Sequence, residues 1–153
     1  MDDCNEVNAT VSKTSSDPMY NSGAVAGSVR TLLRVEGLAI AGLTALLYAR
    51  MGANWWLFAA LWLAPDLSML GYLGGACRGA RAYNAAHTYF LPCVLAFVAL
   101  VLWADWLLPY ALIWANHIGV DRLLGYGLKY SNGFRFTHLG VTGREPAVTA
   151  AVR

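Results

Sequence analysis

The sequence predicts an all-α, polytopic membrane protein: a four-helix transmembrane bundle with a short amphiphilic C-terminal segment. Of 153 residues, 58% are hydrophobic and only 13% are charged, against about 45–50% apolar and about 25% charged in soluble domains. The apolar residues after Arg30 fall into four runs of near-spanning length. None of the runs alternates apolar and polar residues as a half-buried strand would. A soluble four-helix bundle would need a polar stripe on every helix, and Leu57–Pro65 and Cys93–Trp103 offer none. Eleven basic and nine acidic residues exclude a disordered chain and argue against an ordinary cytosolic enzyme. The net charge of +2, with no run of Lys and Arg, leaves no footprint for nucleic acid.

Residues 1–29 are polar, with Asp2, Asp3, Glu6 and Asp17 against Lys13. They contain no apolar core of a signal peptide and bury too little to repay ordering, so they read as a disordered cytoplasmic tail. Residues 30–140 form the transmembrane domain, and 141–153 a flexible C-terminal tail. The expected helices are Leu32–Tyr48, Trp55–Leu73, Tyr83–Trp103 and Leu107–Leu128. At 1.5 Å per residue each covers, or nearly covers, about 30 Å of hydrocarbon. Pro109 stands near the start of the last one, where its missing amide costs little. Short connections make neighbours antiparallel. Gly71, Gly75 and Gly79 are spaced four apart, and Gly71 and Gly75, ending the second helix, suit close packing. Cys4, Cys77 and Cys93 are odd in number and widely spaced, so they read as free thiols.

Four crossings put both termini on one side. That side also holds Arg78 and Arg81 in the expected second loop, together with Lys13, Arg30, Lys129, Arg135, Arg144 and Arg153. Positive charge marks the cytoplasmic face of the cell inner membrane. Trp55, Trp56, Trp103 and Trp106 fall at the opposite interface, where indole rings prefer to sit.

Topology then fixes depth. Glu36, Asp66, His87, His117 and Asp121 all fall roughly 6–15 Å from the inner boundary. His117 and Asp121, at i and i+4, share a helical face. Asp66 follows Pro65, which frees a carbonyl upstream. Glu36 is predicted to point inward, while Arg34, about 200° round the helix from it, snorkels to the headgroups. An ionisable group inside a bilayer costs roughly 2.5–3.5 kcal/mol on insertion scales, so five at one depth mark a site. Mixed imidazole and carboxylate donors suit Zn, Fe or Mn. The candidate catalytic and metal-ligating residues are Asp66, His87, His117 and Asp121, with His138 and Glu36 as further ligands. Tyr72, Tyr83 and Tyr89 are candidates to orient a substrate.

The residues therefore support a membrane-embedded metal-dependent hydrolase or oxidase acting on a lipid-like molecule. Two alternatives stand beside it: a small transporter or proton path, and a non-catalytic scaffold whose polar layer fixes packing. The expected partners are the lipid bilayer and a lipid-like small molecule, with a homo-oligomer compatible. No H-E-x-x-H or E-x-x-H pair is present to decide.

Leu-Leu-Arg-Val-Glu-Gly (32–37), Ala-Pro-Asp-Leu-Ser-Met-Leu-Gly-Tyr (64–72) and Tyr-Asn-Ala-Ala-His-Thr-Tyr (83–89) resemble signatures of a small bacterial membrane-protein family. So do His-Ile-Gly-Val-Asp-Arg-Leu-Leu-Gly-Tyr-Gly-Leu-Lys-Tyr (117–130) and Phe-Arg-Phe-Thr-His-Leu-Gly (134–140). The family is the domain of unknown function numbered 4260. The resemblance implies a four-helix membrane protein and no established activity. Thr-His-Leu-Gly is also similar to a Thr-His-Ser-type motif of an inner-membrane metal-dependent hydrolase family, over too few residues to carry a function.

Overall fold

A computed structural model describes residues 25, 27–130 and 136–141. The expected tails at 1–29 and 141–153 lie largely outside them. The described chain is helical: α1 (Gly27–Arg50), α2 (Trp55–Leu61), a 3-10 helix η1 (Ala64–Gly74), α3 (Ala76–Ala86), α4 (Phe90–Val101), a short 3-10 turn at Asp105–Leu107, and α5 (Leu108–Leu124). Two strands of two residues each, β1 (Phe136–Thr137) and β2 (Gly140–Val141), pair as an antiparallel hairpin. Three helical segments, Gly27–Arg50, Trp55–Gly74 and Ala76–Val101, are long and apolar enough to cross a membrane. α5 is shorter, at 17 residues.

The exterior is hydrocarbon. Leu32, Leu38, Leu43, Leu46, Leu63, Leu67, Leu70 and Leu73 are 52–88% exposed. Soluble monomers rarely show contiguous apolar surface on this scale. Trp55, Trp56, Trp103 and Trp106 are all exposed, as expected of interfacial indoles.

Two expected helices are broken, each four residues before a proline. α2 ends at Leu61, and Pro65 follows four residues on. α3 ends at Ala86, the chain turns through 87–89, and Pro92 stands four residues beyond Thr88. A proline has no N–H for the carbonyl four residues back, and its ring clashes with that carbonyl. The expected second helix thus becomes α2 and η1. The expected third helix begins at Ala76 rather than Tyr83, so Arg78 and Arg81 lie within α3 and not in a loop. The connection before it narrows to Gly75, whose φ of +108° favours glycine. The expected fourth helix stops at Leu124 instead of Leu128. Gly125 takes the left-handed conformation, with Tyr126 N–H on the Asp121 carbonyl and Gly125 N–H on that of Arg122. This is the double bond of a Schellman stop.

α1 and α5 form the closest seam. A Cβ added at Gly37 would lie 2.8 Å from the Gly119 carbonyl, and one at Gly119 would lie 2.9 Å from the Ala41 nitrogen. Asn116 donates across the seam to the Ala41 carbonyl and to the Thr44 hydroxyl, and accepts from the Trp62 indole. η1 packs antiparallel on α3, where the Tyr72 ring fills the space a side chain at Gly79 would need. Thus Gly71 serves close packing, as expected; Gly75 does not but serves the turn, and Gly79 takes the packing role instead.

Beyond α5 the chain is pinned to the bundle. Asn84 of α3 accepts from the Lys129 N–H and donates to the Lys129 carbonyl, as a neighbouring strand would. Lys129 also bridges Thr137, and Arg30 donates to the Leu139 carbonyl. The amphiphilic segment around His138 therefore folds back on the bundle as a hairpin. Cys93 is a free, exposed thiol. Cys77 is disulfide-bonded, which corrects the expectation of three free thiols.

Candidate metal centre

Asp66 from the start of η1, His87 from the break after α3, and His117 and Asp121 from α5 converge inside the helices. One donor atom from each lies within 4.8 Å of the other three. His87 Nε2 stands 3.4 Å from Asp66 Oδ1 and 3.5 Å from Asp121 Oδ2. His117 Nε2 stands 3.6 Å and 3.7 Å from the same two oxygens. The two imidazole nitrogens are 3.2 Å apart. Four donors around one ion at bond lengths of about 2.0–2.2 Å would sit about 3.3–3.6 Å from one another in a regular tetrahedron. Five of the six separations are therefore close to those of a tetrahedral site.

The prolines explain why the chain presents these groups. Pro65 turns the segment so that Asp66 opens η1 rather than continuing α2. The break before Pro92 places His87 at the C-terminal end of α3, where its N–H bonds the Tyr83 carbonyl. The i, i+4 spacing expected of His117 and Asp121 brings both to one face of α5.

A supporting layer orients the donors. His87 Nδ1–H donates to the Tyr83 carbonyl at 3.0 Å, which leaves Nε2 with its lone pair toward the cluster. The Tyr83 ring stacks on His87 with centroids 3.7 Å apart, and its hydroxyl donates to Asp121 Oδ2 at 3.2 Å. One tyrosine thus holds two of the four donors. Such partners are typical of metal-ligating histidines and carboxylates. Trp62 packs edge-on against His117 at 5.0 Å. Lys129 sits buried with its ammonium 4.3 Å from the Tyr83 ring centre. Burial brings its pKa down to about 8, against the opposing pull of Asp121 and Asp66.

The side chains of His87 and His117 are 3% and 1% exposed, those of Asp121 and Asp66 16% and 31%. Asp66 is therefore the open side of the cluster. Two carboxylates so close together in an apolar interior repel unless a proton or a cation lies between them. A divalent ion would neutralise both and use both imidazoles.

The two further candidate ligands stand elsewhere. His138 accepts from the Leu128 N–H at its Nδ1, while Arg122 Nη1 lies 2.9 Å from its Nε2. Burial first, and the Arg122 guanidinium second, lower its pKa. Glu36 is exposed, contrary to the inward orientation expected of it. Gly37 takes the seam, and Glu36, one residue round the helix, falls on the rim of a cavity of about 380 Å³ shared with Tyr89 and Arg122. Arg34 donates to the Leu123 carbonyl near the C-terminus of α5. Of the three candidate tyrosines, only Tyr83 touches the cluster in this way; Tyr72 packs on Gly79 and Tyr89 lines the Glu36 cavity.

The roles of Trp62 and Lys129 were not legible in the sequence. Their side chains meet the site across helices that are remote along the chain, and no spacing rule links them.

Curated proteins and solved structures offer no match to the chain. A family model described as a domain of unknown function, DUF4260, matches residues 30–142, a span that takes in all four residues of the cluster, and the chain belongs to that family.

Proposed function

We propose that the chain is a four-pass protein of the cell inner membrane, both termini cytoplasmic, built around a divalent-metal site. The ligands are Asp66, His87, His117 and Asp121, and the reaction is a metal-dependent hydrolysis or oxidation of an apolar, lipid-like substrate. The single observation that carries this reading is the set of near-tetrahedral separations among four donors drawn from three separate helical segments. Zn, Fe and Mn all accept this donor set. Such an ion would serve as a Lewis acid on a bound water or a substrate oxygen.

The chain's own residues supply the rest. Tyr83 fixes the tautomer of His87 and the direction of Asp121. His117 is held by the Trp62 ring, on a helix whose other face packs closely against α1. Asp66, the most exposed donor, defines the side from which substrate approaches. The hydrocarbon exterior and the interfacial tryptophans support membrane residence. The excess of Arg and Lys toward one end supports the orientation.

A second reading, a purely polar network, draws on the same 3.2 Å approach of His87 and His117, which one shared proton can bridge. Elemental analysis of detergent-purified protein separates the two. The metal reading expects about one ion per chain, retained through gel filtration. A folded, monodisperse protein with no bound metal after incubation with Zn, Fe(II) and Mn(II) would overturn it.

A further inference from the structure

A cavity of about 400 Å³ lies between η1 and α3 on one side and α4 and α5 on the other. Three of its lining residues stand next to, or one turn from, cluster residues along the chain. Pro65 precedes Asp66, Ala86 precedes His87, and Ile113 sits one helical turn before His117; all three line it. The rest of the wall is mainly hydrocarbon and aromatic, with Leu61 and Leu95 across the space. The indole N–H of Trp114, also on the wall, is spent on the Ala86 carbonyl. Ser68 contributes a hydroxyl whose oxygen is buried and has no hydrogen-bond partner among the described residues. A buried hydroxyl without a protein partner is destabilising, and the oxygen-bearing end of a bound molecule would satisfy it.

The cavity reaches the outside between exposed Ala64 and Tyr110. Leu63 and Leu67, 58% and 66% exposed, flank that rim on η1. An opening surrounded by leucines on a hydrocarbon exterior admits a molecule from the acyl-chain region rather than from water. The volume is at the low end of the roughly 300–1,000 Å³ typical of small-molecule sites, which suits one chain and not a two-chain phospholipid.

We infer that this cavity is the substrate channel of the metal centre and binds one hydrocarbon chain of a single-chain amphiphile. The chain enters laterally between η1 and α5, its oxygen-bearing end meeting the Ser68 hydroxyl and the open side of the cluster at Asp66. The inference rests on the metal-centre reading for its chemistry, but not for its occupancy.

The test is photolabelling of the full-length, metal-loaded protein in nanodiscs with a diazirine-bearing stearic acid, the labelled residues being mapped by mass spectrometry. Label is expected on Leu61, Leu95 and Ile113, competed by unlabelled stearate. Leu95→Trp fills the space and lowers cavity labelling by about tenfold with metal content unchanged. Leu61→Trp serves as the second variant should Leu95→Trp fail to fold. Label spread evenly over exterior residues such as Leu43, Leu46 and Leu100, or full labelling of both folded variants, would overturn the inference. Labelling by a diazirine phospholipid that stearate does not compete would also overturn it. Wild-type protein that takes up no metal when incubated with Zn, Fe(II) and Mn(II), yet still labels in the cavity, would instead sink the metal reading and uphold the chain site. Metal-loaded protein without cavity label would do the reverse.

Discussion

Helix α5 meets its neighbours in opposite ways on its two sides. Toward α1 it packs backbone against backbone, with Gly119 on Ala41 and Gly37 on the turn at Gly119–Leu123. The polar atoms there, Asn116 and Thr44, are satisfied within the seam. Toward η1 and α3 the same helix presents His117 and Asp121 to a cluster of four ionisable donors drawn from three segments, and beside it lies an open cavity. The seam is closed by small residues and neutral hydrogen bonds, and the opposite face gathers imidazoles and carboxylates beside a cavity. The first holds α5 rigid so that the second can hold ligand atoms in place, since a site that is loose by about 1 Å loses much of its function.

The largest expected effect lies on the side of the cluster. His87→Ala and His117→Ala each remove one of two nitrogen donors and leave two carboxylates together. Bound metal is expected to fall from about one ion per chain to below about a tenth by elemental analysis. The thermal unfolding of the seam would persist. Retention of stoichiometric metal in either variant would erase the contrast between the two faces.

Gly37→Leu attacks the other face. Its Cβ would meet Arg122 Cβ at 2.7 Å and Leu123 N at 2.9 Å, so the helices must part. Overpacking of this kind costs about 1–3 kcal/mol, visible as a Tm several degrees lower. The fraction that remains folded should keep its metal. An unchanged Tm would show that the seam is not the rigid element.

Tyr83→Phe sharpens the comparison on the ligand side, because it deletes only the hydroxyl on Asp121 and keeps the ring on His87. Loss of such a support weakens metal affinity about 10–100-fold, measured by competition with a chelating dye, with little change in Tm.

The smallest effect belongs to His138, outside both faces. Its pKa is held below the ordinary 6.5 by burial and Arg122. Between the lowered value and 6.5 the unfolded chain binds more protons than the folded one, so stability rises with pH there. The penalty is absent above about 6.5 and grows as pH falls toward the folded value. His138→Ala should flatten Tm against pH in that window.

Much of this was legible in the chain. Counting 1.5 Å per residue inward from the expected helix ends placed Asp66, His87, His117 and Asp121 at one depth, and the structure brings those four together. The count survived the misplaced start of the third helix. Adding Ala76–Ala82 below Tyr83 lengthens the span without moving His87 relative to its partners. The breaks were present in the sequence as Pro65 and Pro92, but an uninterrupted apolar run hides a break when periodicity alone is followed. Glu36 was misjudged for a different reason. Its direction depends on which residue of α1 forms the seam, and only the contact at Gly37 reveals that. The hold of Tyr83 on two donors depends on a carbonyl and a hydroxyl acting in different directions, which no linear spacing encodes.

The most direct test is X-ray absorption at the metal edge of purified, metal-loaded protein. A shell of four light donors at about 2.0–2.2 Å is expected, with the outer-shell scattering of two imidazoles that falls by half in His117→Ala. A spectrum without imidazole scattering, or a protein that takes up no stoichiometric metal at all, would contradict the account.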